Sequence, residues 1–397
     1  MILSRSPVGD KRLMIVFNLQ QQGRQGNKPR MKRWGKRVAK HGKFVSALLC
    51  MAMAMGAWSK TSAAAENPLT YAGADRQQML VEGAKAEGEL VFYSAMIVNQ
   101  ALRPVSEAFM KKYPFIKLTY WRAESAGIFT KLSAEVRAGK VVADVVEGTG
   151  VGESVIQAGL AQPYSTPTLT EIPKAYHDPN QLWTPTRRSF FGAAYNTKLT
   201  PLADTPRTYE DLLDPRWKGR LAWHAGSASG AYLFVTNLRK AWGDDRTRDY
   251  LSKLADQKVA GLSGSSARGL VDRVIAGEFG LGLNIFAHHP LISAAKGAPT
   301  SSVLMEPVAS TVGTMIVPKG VRHPHAAMLL VDFILSQEGQ TILAQAGYFP
   351  THRDVATRPD IAPITDALAR LKENFISPED LVKYTASSEE MLGATIK

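Results

Sequence analysis

Three runs of tiny residues, each placed just ahead of a helical pattern, carry the chemistry this sequence offers most openly. The first is Ala225-Gly226-Ser227-Ala228-Ser229-Gly230, which follows the apolar run 220–223 and precedes Phe234, Leu238 and Trp242. That i, i+4, i+8 spacing marks one face of a helix. The second, Glu124-Ser125-Ala126-Gly127, leads into Ile128, Leu132 and Val136 at the same spacing. The third, residues 261–269, contains Ser263, Ser265 and Ser266 and feeds Leu270, Val271, Val274 and Ile275. A helix leaves its first N–H groups without intrahelical partners, and the positive end of its dipole adds to them, so a strand, small-residue loop and helix in succession form a seat for an anion. A Ser cap on an ordinary α/β turn is the simpler account of any one such loop. Repetition is what favours binding.

Other side chains extend or compete with this reading. Arg187-Arg188 precedes an extended run, and one of the two can supply a counter-charge, although surface pairing accounts for both as well. Ser94, Thr149 and Asn284 stand at strand ends and add hydroxyl or amide groups. His288-His289 offers imidazoles to a metal, yet neighbours on a strand face opposite ways and a metal site needs three or four converging ligands. Tyr195 and His288 are therefore weak metal candidates. His323-Pro324-His325 reads as a solvated turn. Gly148-Thr149-Gly150-Val151-Gly152 echoes a phosphate loop, but no Gly-Lys-Ser/Thr follows. No G-x-S-x-G elbow is present.

The elements that must position these groups alternate. Apolar runs at 90–93, 115–121 and 141–146 read as strands, separated by helical patterns at 75–86, 102–109, 128–136 and 153–158. Such alternation indicates an α/β fold with a largely parallel sheet, and ligands of such sheets sit at the carboxyl ends of the strands. Ser94, Ser125 and Thr149 all fall there. Residues 163–185 read as a surface connection and 189–195 as a strand crossing between domains. Beyond the first loop, 280–286, 303–307 and 311–317 look extended, 328–335 and 340–346 helical, and the last thirty-odd residues helical and polar.

The net charge of +13 is not spread over the chain. Thirteen of the 48 Lys and Arg but only one of the 35 Asp and Glu lie in residues 1–65, which leaves 35 basic against 34 acidic residues afterwards. This argues against nucleic acid as a partner. Within the front segment, 31–43 is a basic stretch, 44–58 is apolar and Ala63-Ala64-Ala65 supplies small residues, the order of a cleaved secretory signal. The apolar stretch is shorter than the ~20 residues a spanning helix needs. Residues 31–65 are expected to direct export to the periplasm, and 1–30 to be an over-extended start. The only cysteine, Cys50, lies in that apolar stretch, so the exported chain has no thiol chemistry.

Several segments together resemble one family, the periplasmic solute-binding proteins of bacterial ABC importers, in the branch holding ferric-iron, thiamine and phosphonate binders. They are 81–93 (VEGAKAEGELVFY), 209–220 (YEDLLDPRWKGR), 275–283 (IAGEFGLGL), 317–320 (VPKG), 327–339 (AMLLVDFILSQEG) and 347–350 (GYFP). The resemblance implies the two-lobed periplasmic-binding-protein fold of type II, with ligand in a cleft between discontinuous lobes. The expected division is 66–188 with 300–340, and 189–299 with 341–397. It also implies a monomeric binder rather than an enzyme, without cofactor, that captures a small phosphonate-like or carboxylate anion and hands it to an inner-membrane ABC permease. The family's anion-holding loop corresponds to Ser227, Ala228, Ser229 and Gly230. The alternatives are ferric binding at a rearranged or anion-assisted site, a secreted α/β enzyme, and the sensing domain of a transcription regulator.

Ferric members of this family use a tyrosine pair after the strand that is 280–286 here, where this chain reads Asn284-Ile285-Phe286-Ala287-His288-His289. Ferric ion is a hard cation that needs anionic oxygen donors, and imidazoles suit softer divalent metals. The chain is therefore expected not to bind bare ferric ion. Titration with ferric citrate should leave visible absorbance featureless; a saturable one-to-one colour change that disappears in Tyr195→Phe would contradict this.

Overall fold

The computed structural model describes residues 66–225, 230–262 and 266–395. The first helix, α1 (Arg76–Glu87), buries Leu80 and Ala84 and ends at Gly88, whose φ of 70° supplies the left-handed turn that closes a helix. Three parallel strands follow, β1 (Glu89–Ser94), β2 (Lys117–Arg122) and β3 (Val145–Gly148), with β1 between the others. Helices α2 (Arg103–Lys112), α3 (Ser125–Arg137) and α4 (Gly152–Gln157) follow in turn. The strand expected over 141–146 begins only at Val145. The backbone N–H groups of Val142 and Ala143 instead donate to the Glu135 carboxylate at 2.9 and 3.4 Å, which bends the chain before it enters the sheet.

The long strand β4 (Thr184–Asn196) starts five residues earlier than its apolar run predicts, so Arg187 and Arg188 lie within it. After it come β5 (Leu221–His224), α5 (Ala231–Trp242), α6 (Asp244–Ala255), β6 (Ala260–Leu262), α7 (Ala267–Ile275), β7 (Leu281–Phe286) and α8 (His288–Ala294). The expected stretch 311–317 falls in β9 (Val308–Ile316), whereas 303–307 shares only Val303 with β8 (Thr300–Val303) and otherwise links the two strands. Then come α9 (Pro324–Leu335) and α10 (Gln337–Gln345). The polar end of the chain is not one helix but α11 (Ala362–Leu368), β10 (Glu373–Phe375) and α12 (Pro378–Thr395), because β10 pairs with β9.

The strand order is β2-β1-β3-β9-β4-β7-β5-β6, with β10 on β9 and β8 on β4. Strands β4 and β9 run antiparallel through the middle, and a parallel set lies to each side. Their registers determine where those sets end. Gly148, the last residue of β3, pairs with Thr314, which pairs with Pro185. Phe286, the last residue of β7, pairs with Phe191. Since β3 runs with β4 and β7 against it, the two parallel sets aim their carboxyl ends at the same piece of β4, residues 187–190. The apolar core divides around that piece. The largest cluster draws on residues 69–183 and 312–348, including Phe92, Phe109, Ile316 and Phe333. A second gathers Tyr209, Trp217, Trp223, Phe234, Tyr250 and Leu281.

Two expected surface features are inside. His323 is buried with Nδ1 2.8 Å from Asp144 Oδ2, and His325 places Nδ1 2.6 Å from Glu87 Oε1. The turn that looked solvated is held by two carboxylates at the start of α9. The segment 163–185 likewise buries Tyr164, Tyr176 and Trp183, and Trp183 Nε1 donates to Glu379 of α12 at 2.8 Å.

The Glu153 carboxyl is a buried group without such a charge partner among the described residues. Glu153, in the first turn of α4, has Oε1 enclosed without a hydrogen bond, and burial pushes its carboxyl from the ordinary 4.5 up to about 7. The folded protein keeps this proton to higher pH than the unfolded chain, so stability is complete below the unfolded value and is lost as pH rises towards 7. Glu153→Gln should therefore raise the thermal midpoint at pH 8 by the equivalent of about 1–3 kcal/mol and leave it nearly unchanged at pH 4. Equal shifts at both pH values in differential scanning calorimetry would contradict this.

Candidate functional site

Arg187 is the centre of the piece of β4 at which both parallel sets point. Its Nη1 donates to Glu147 Oε1, which also accepts from Thr186 Oγ1 at 3.1 Å. The other carboxylate oxygen accepts from Ser94 Oγ at 2.6 Å, and Ser94 Oγ accepts from the N–H of Met96 at 3.0 Å. The guanidinium lies over the Tyr348 ring, 4.7 Å from its centroid. Arg187 and Glu147 are 6% and 0% exposed, so neither charge could persist here alone. Burial works against the guanidinium's charge and the Glu147 carboxylate outweighs it, holding the pKa above the ordinary value. Nη1 carries every hydrogen bond found for this side chain among the described residues, which leaves Nε and Nη2 for a ligand.

The strand makes room for this side chain in two ways. The register slips between Pro185 and Arg187, a bulge-like irregularity of the kind that re-aims a side chain. Opposite Arg187 stands Gly313, where an added Cβ would lie 2.9 Å from Nη1 and 2.7 Å from Thr186 Oγ1. Arg188 faces the other way, as alternation requires, and donates to Glu373 of β10 at 3.2 Å.

On the side of β1 to β3, Ser125 opens α3 and its Oγ donates to the Thr149 carbonyl at 2.9 Å. Thr149 Oγ1 is enclosed without a partner, and Ala126 is exposed in the first turn of α3. On the side of β5 to β7, Gly230 precedes α5 and its carbonyl accepts from Asn284 Nδ2 at 2.8 Å. A Cβ on Gly230 would fall 2.1 Å from the His224 carbonyl. Asn284 itself has φ of 51°, a left-handed conformation that Asn tolerates better than most residues. Ser227, Ala228, Ser229 and Ser265 lie outside the described residues.

His288 and His289 open α8 instead of closing a strand, so the opposite-face argument does not apply to them: their rings are 4.6 Å apart. His288 is 2% exposed and packs against Tyr348 and Phe349 at 5.7 and 5.8 Å between centroids. Burial first, then His289 and Arg187, drives its pKa well below the ordinary 6.5. Burial, with Arg268 and Arg187, brings His289 to about 3. Both imidazoles are neutral. Nδ1 and Nε2 of His288 and Nδ1 of His289 are enclosed with no hydrogen-bond partner, at a cost of about 1–3 kcal/mol for each unsatisfied group.

The structure thus brings Ser94, Thr149 and Arg187 together through Glu147 and its strand, and sets His288 beside them across Tyr348. Tyr195 does not join them, because it pairs with Leu281 at the far end of β7 from Phe286 and is packed in the second core cluster. Glu147, Thr186, Tyr348 and His289 complete the site. Of these, His289 had a signal in sequence as an imidazole and Glu147 as a carboxylate at a strand end; Tyr348 comes from a distant segment. One other group among the described residues could hold a metal, Glu171, His352 and Asp354. His352 Nδ1 there accepts the Asp354 N–H at 3.2 Å, which places the ring proton on Nε2, and Arg353 lies 3.6 Å from Glu171 Oε2. Asp354 is exposed, and exposed acidic groups commonly gather without an ion. A cavity of about 670 Å³ lined by Tyr71, Arg76, Lys112, Tyr113 and Phe333 shares none of the residues around Arg187.

Comparison with known proteins agrees with this architecture. Residues 142–378 match the model of the bacterial extracellular solute-binding protein family. An uncharacterized protein of Haemophilus influenzae is 29% identical over 286 residues, covering 66% of this chain and 78% of the relative. An Fe(3+)-binding periplasmic protein of Serratia marcescens is 25% identical over 298 residues, covering 72% and 85%. Among solved structures, the periplasmic binding protein AfuA of Actinobacillus pleuropneumoniae, with fructose-6-phosphate bound, is 26% identical and superposes with a TM-score of 0.64, covering 78% of this chain and 97% of that one. The fold is that of periplasmic binding proteins, and the chain belongs to the bacterial extracellular solute-binding protein family.

Proposed function

We propose that this protein captures a small organic anion, phosphate-like, phosphonate-like or carboxylate, in the cleft around Arg187 and delivers it to an inner-membrane ABC permease. The observation that carries the reading is a buried guanidinium whose Nη1 is tied to Glu147 while Nε and Nη2 carry no hydrogen bond among the described residues. Glu147 balances the charge of Arg187, so the pair orients donors instead of supplying net attraction. The attraction comes from backbone N–H groups at the starts of α3 and α5. Each charge-assisted hydrogen bond contributes about 1.5–3 kcal/mol, and micromolar affinity needs about 8 kcal/mol, so about three to six such bonds suffice.

The protein acts as a binder without catalysis, as a monomer, and reaches the periplasm after residues 31–65 are removed. The family's extracellular placement supports that compartment, and no helix among the described residues is long and apolar enough to cross a membrane. One lobe is 66–188 with 300–340 and the other 189–299 with 341–397. The composition of the largest apolar cluster, which continues to Tyr348, favours moving the last boundary to about that residue.

Isothermal titration calorimetry against inorganic phosphate, alkyl phosphates, phosphonates and carboxylates tests the reading. At least one anion should bind with micromolar affinity, and Ser229→Asp, which puts a negative charge at the seat, should weaken it more than a hundredfold. Arg187→Met should do the same. Unchanged affinity in both variants would remove this site.

A further inference from the structure

The two imidazoles at the start of α8 lack a hydrogen-bond partner among the described residues. His288 is 2% exposed with both ring nitrogens unpartnered, and Nδ1 of His289 is enclosed in the same state. Their surroundings restrict what that partner can be. Phe286 lies 5.8 and 5.1 Å from the two rings, and Tyr348 and Phe349 cover His288. The Tyr348 ring in turn carries the guanidinium of Arg187. Arg268 reaches the pair as well, with Nη1 3.3 Å from the His289 carbonyl.

A metal ion does not fit. A metal site needs three or four converging ligands, and among the described residues the only cluster of three potential ligands contains neither histidine. A fully deprotonated oxyanion pairs only with the N–H of a neutral imidazole and leaves its acceptor nitrogen unmet. A hydroxyl matches that pattern, being both donor and acceptor, and its carbon stem suits the aromatic walls.

We infer that His288 and His289 read hydroxyl groups on the solute, so that the ligand is a hydroxylated organic anion, its anionic head at Arg187 and its polyol or hydroxyalkyl arm against the imidazoles. The inference rests on the anion reading above and narrows its ligand class. His288 and His289 are then specificity residues, and they set which anion is taken rather than whether one is. Phosphate and carboxylate heads share this chemistry, and each is probed separately.

Calorimetry on the full exported chain with matched pairs tests it: glycerol 3-phosphate against propyl phosphate, and glycerate against propionate. The wild type should bind the hydroxylated member of at least one pair tenfold or more tightly. His289→Phe and His288→Phe should bring that ratio to within about twofold, and His289→Asn, which retains one donor and one acceptor, should restore part of it. Thermal unfolding of each variant checks that it is folded. A ratio near one in the wild type, as expected if ordered water alone satisfies the ring nitrogens, overturns the inference, and so does a ratio that the substitutions leave intact. If no anion of any kind binds the wild type, the anion reading fails and the inference falls with it, an outcome distinct from anions binding without regard to hydroxyls.

Discussion

The buried pair of Glu147 and Arg187 is the constraint on which the centre of this protein depends. Two charges withdrawn from water persist only if each is paired and the remaining lone pairs are satisfied. Here Ser94 and Thr186 satisfy the carboxylate, Tyr348 covers the guanidinium, and Gly313 leaves space for both. These groups come from four strands and one distant turn. The pair therefore joins β1, β3, β4 and the segment after α10 at the point where the sheet changes direction.

That point is also where topology places a cleft. The strands β3 and β7 approach β4 from opposite directions and stop at Pro185 and Phe191, so the helices that follow them begin facing each other. The loops that precede α3 and α5 are made of small residues for a steric reason visible at Gly230, where a side chain would strike the His224 carbonyl. The imidazoles of α8 have ring nitrogens without a partner among the described residues, and Tyr348 separates them from the guanidinium of Arg187. Orientation is concentrated on one wall and unsatisfied polarity on the other.

Much of this was legible in the sequence, and what was not has physical causes. The α/β alternation and the family resemblance follow from local pattern, and the fold agrees with them. Local pattern could not show that Arg187 is interior, because a strand edge rich in Arg looks solvent-facing until the carboxylate from β3 is placed beside it. His288 and His289 were misread as a strand end because the apolar run of β7 continues to Phe286 without a turn signal before α8. His323 and His325 looked solvated for a similar reason: Asp144 and Glu87, which hold them, are remote in sequence. For Arg187, His323 and His325 the missing information was a long-range charge partner.

The central claim is that the oriented guanidinium marks a seat for an organic anion. Native mass spectrometry of protein taken from the periplasm without refolding tests it most directly, by reporting what the cleft already holds. The account predicts a single small organic anion bound one-to-one to the wild type and absent from Arg187→Met. A wild-type chain carrying iron instead, or an anion retained equally by Arg187→Met, would contradict it.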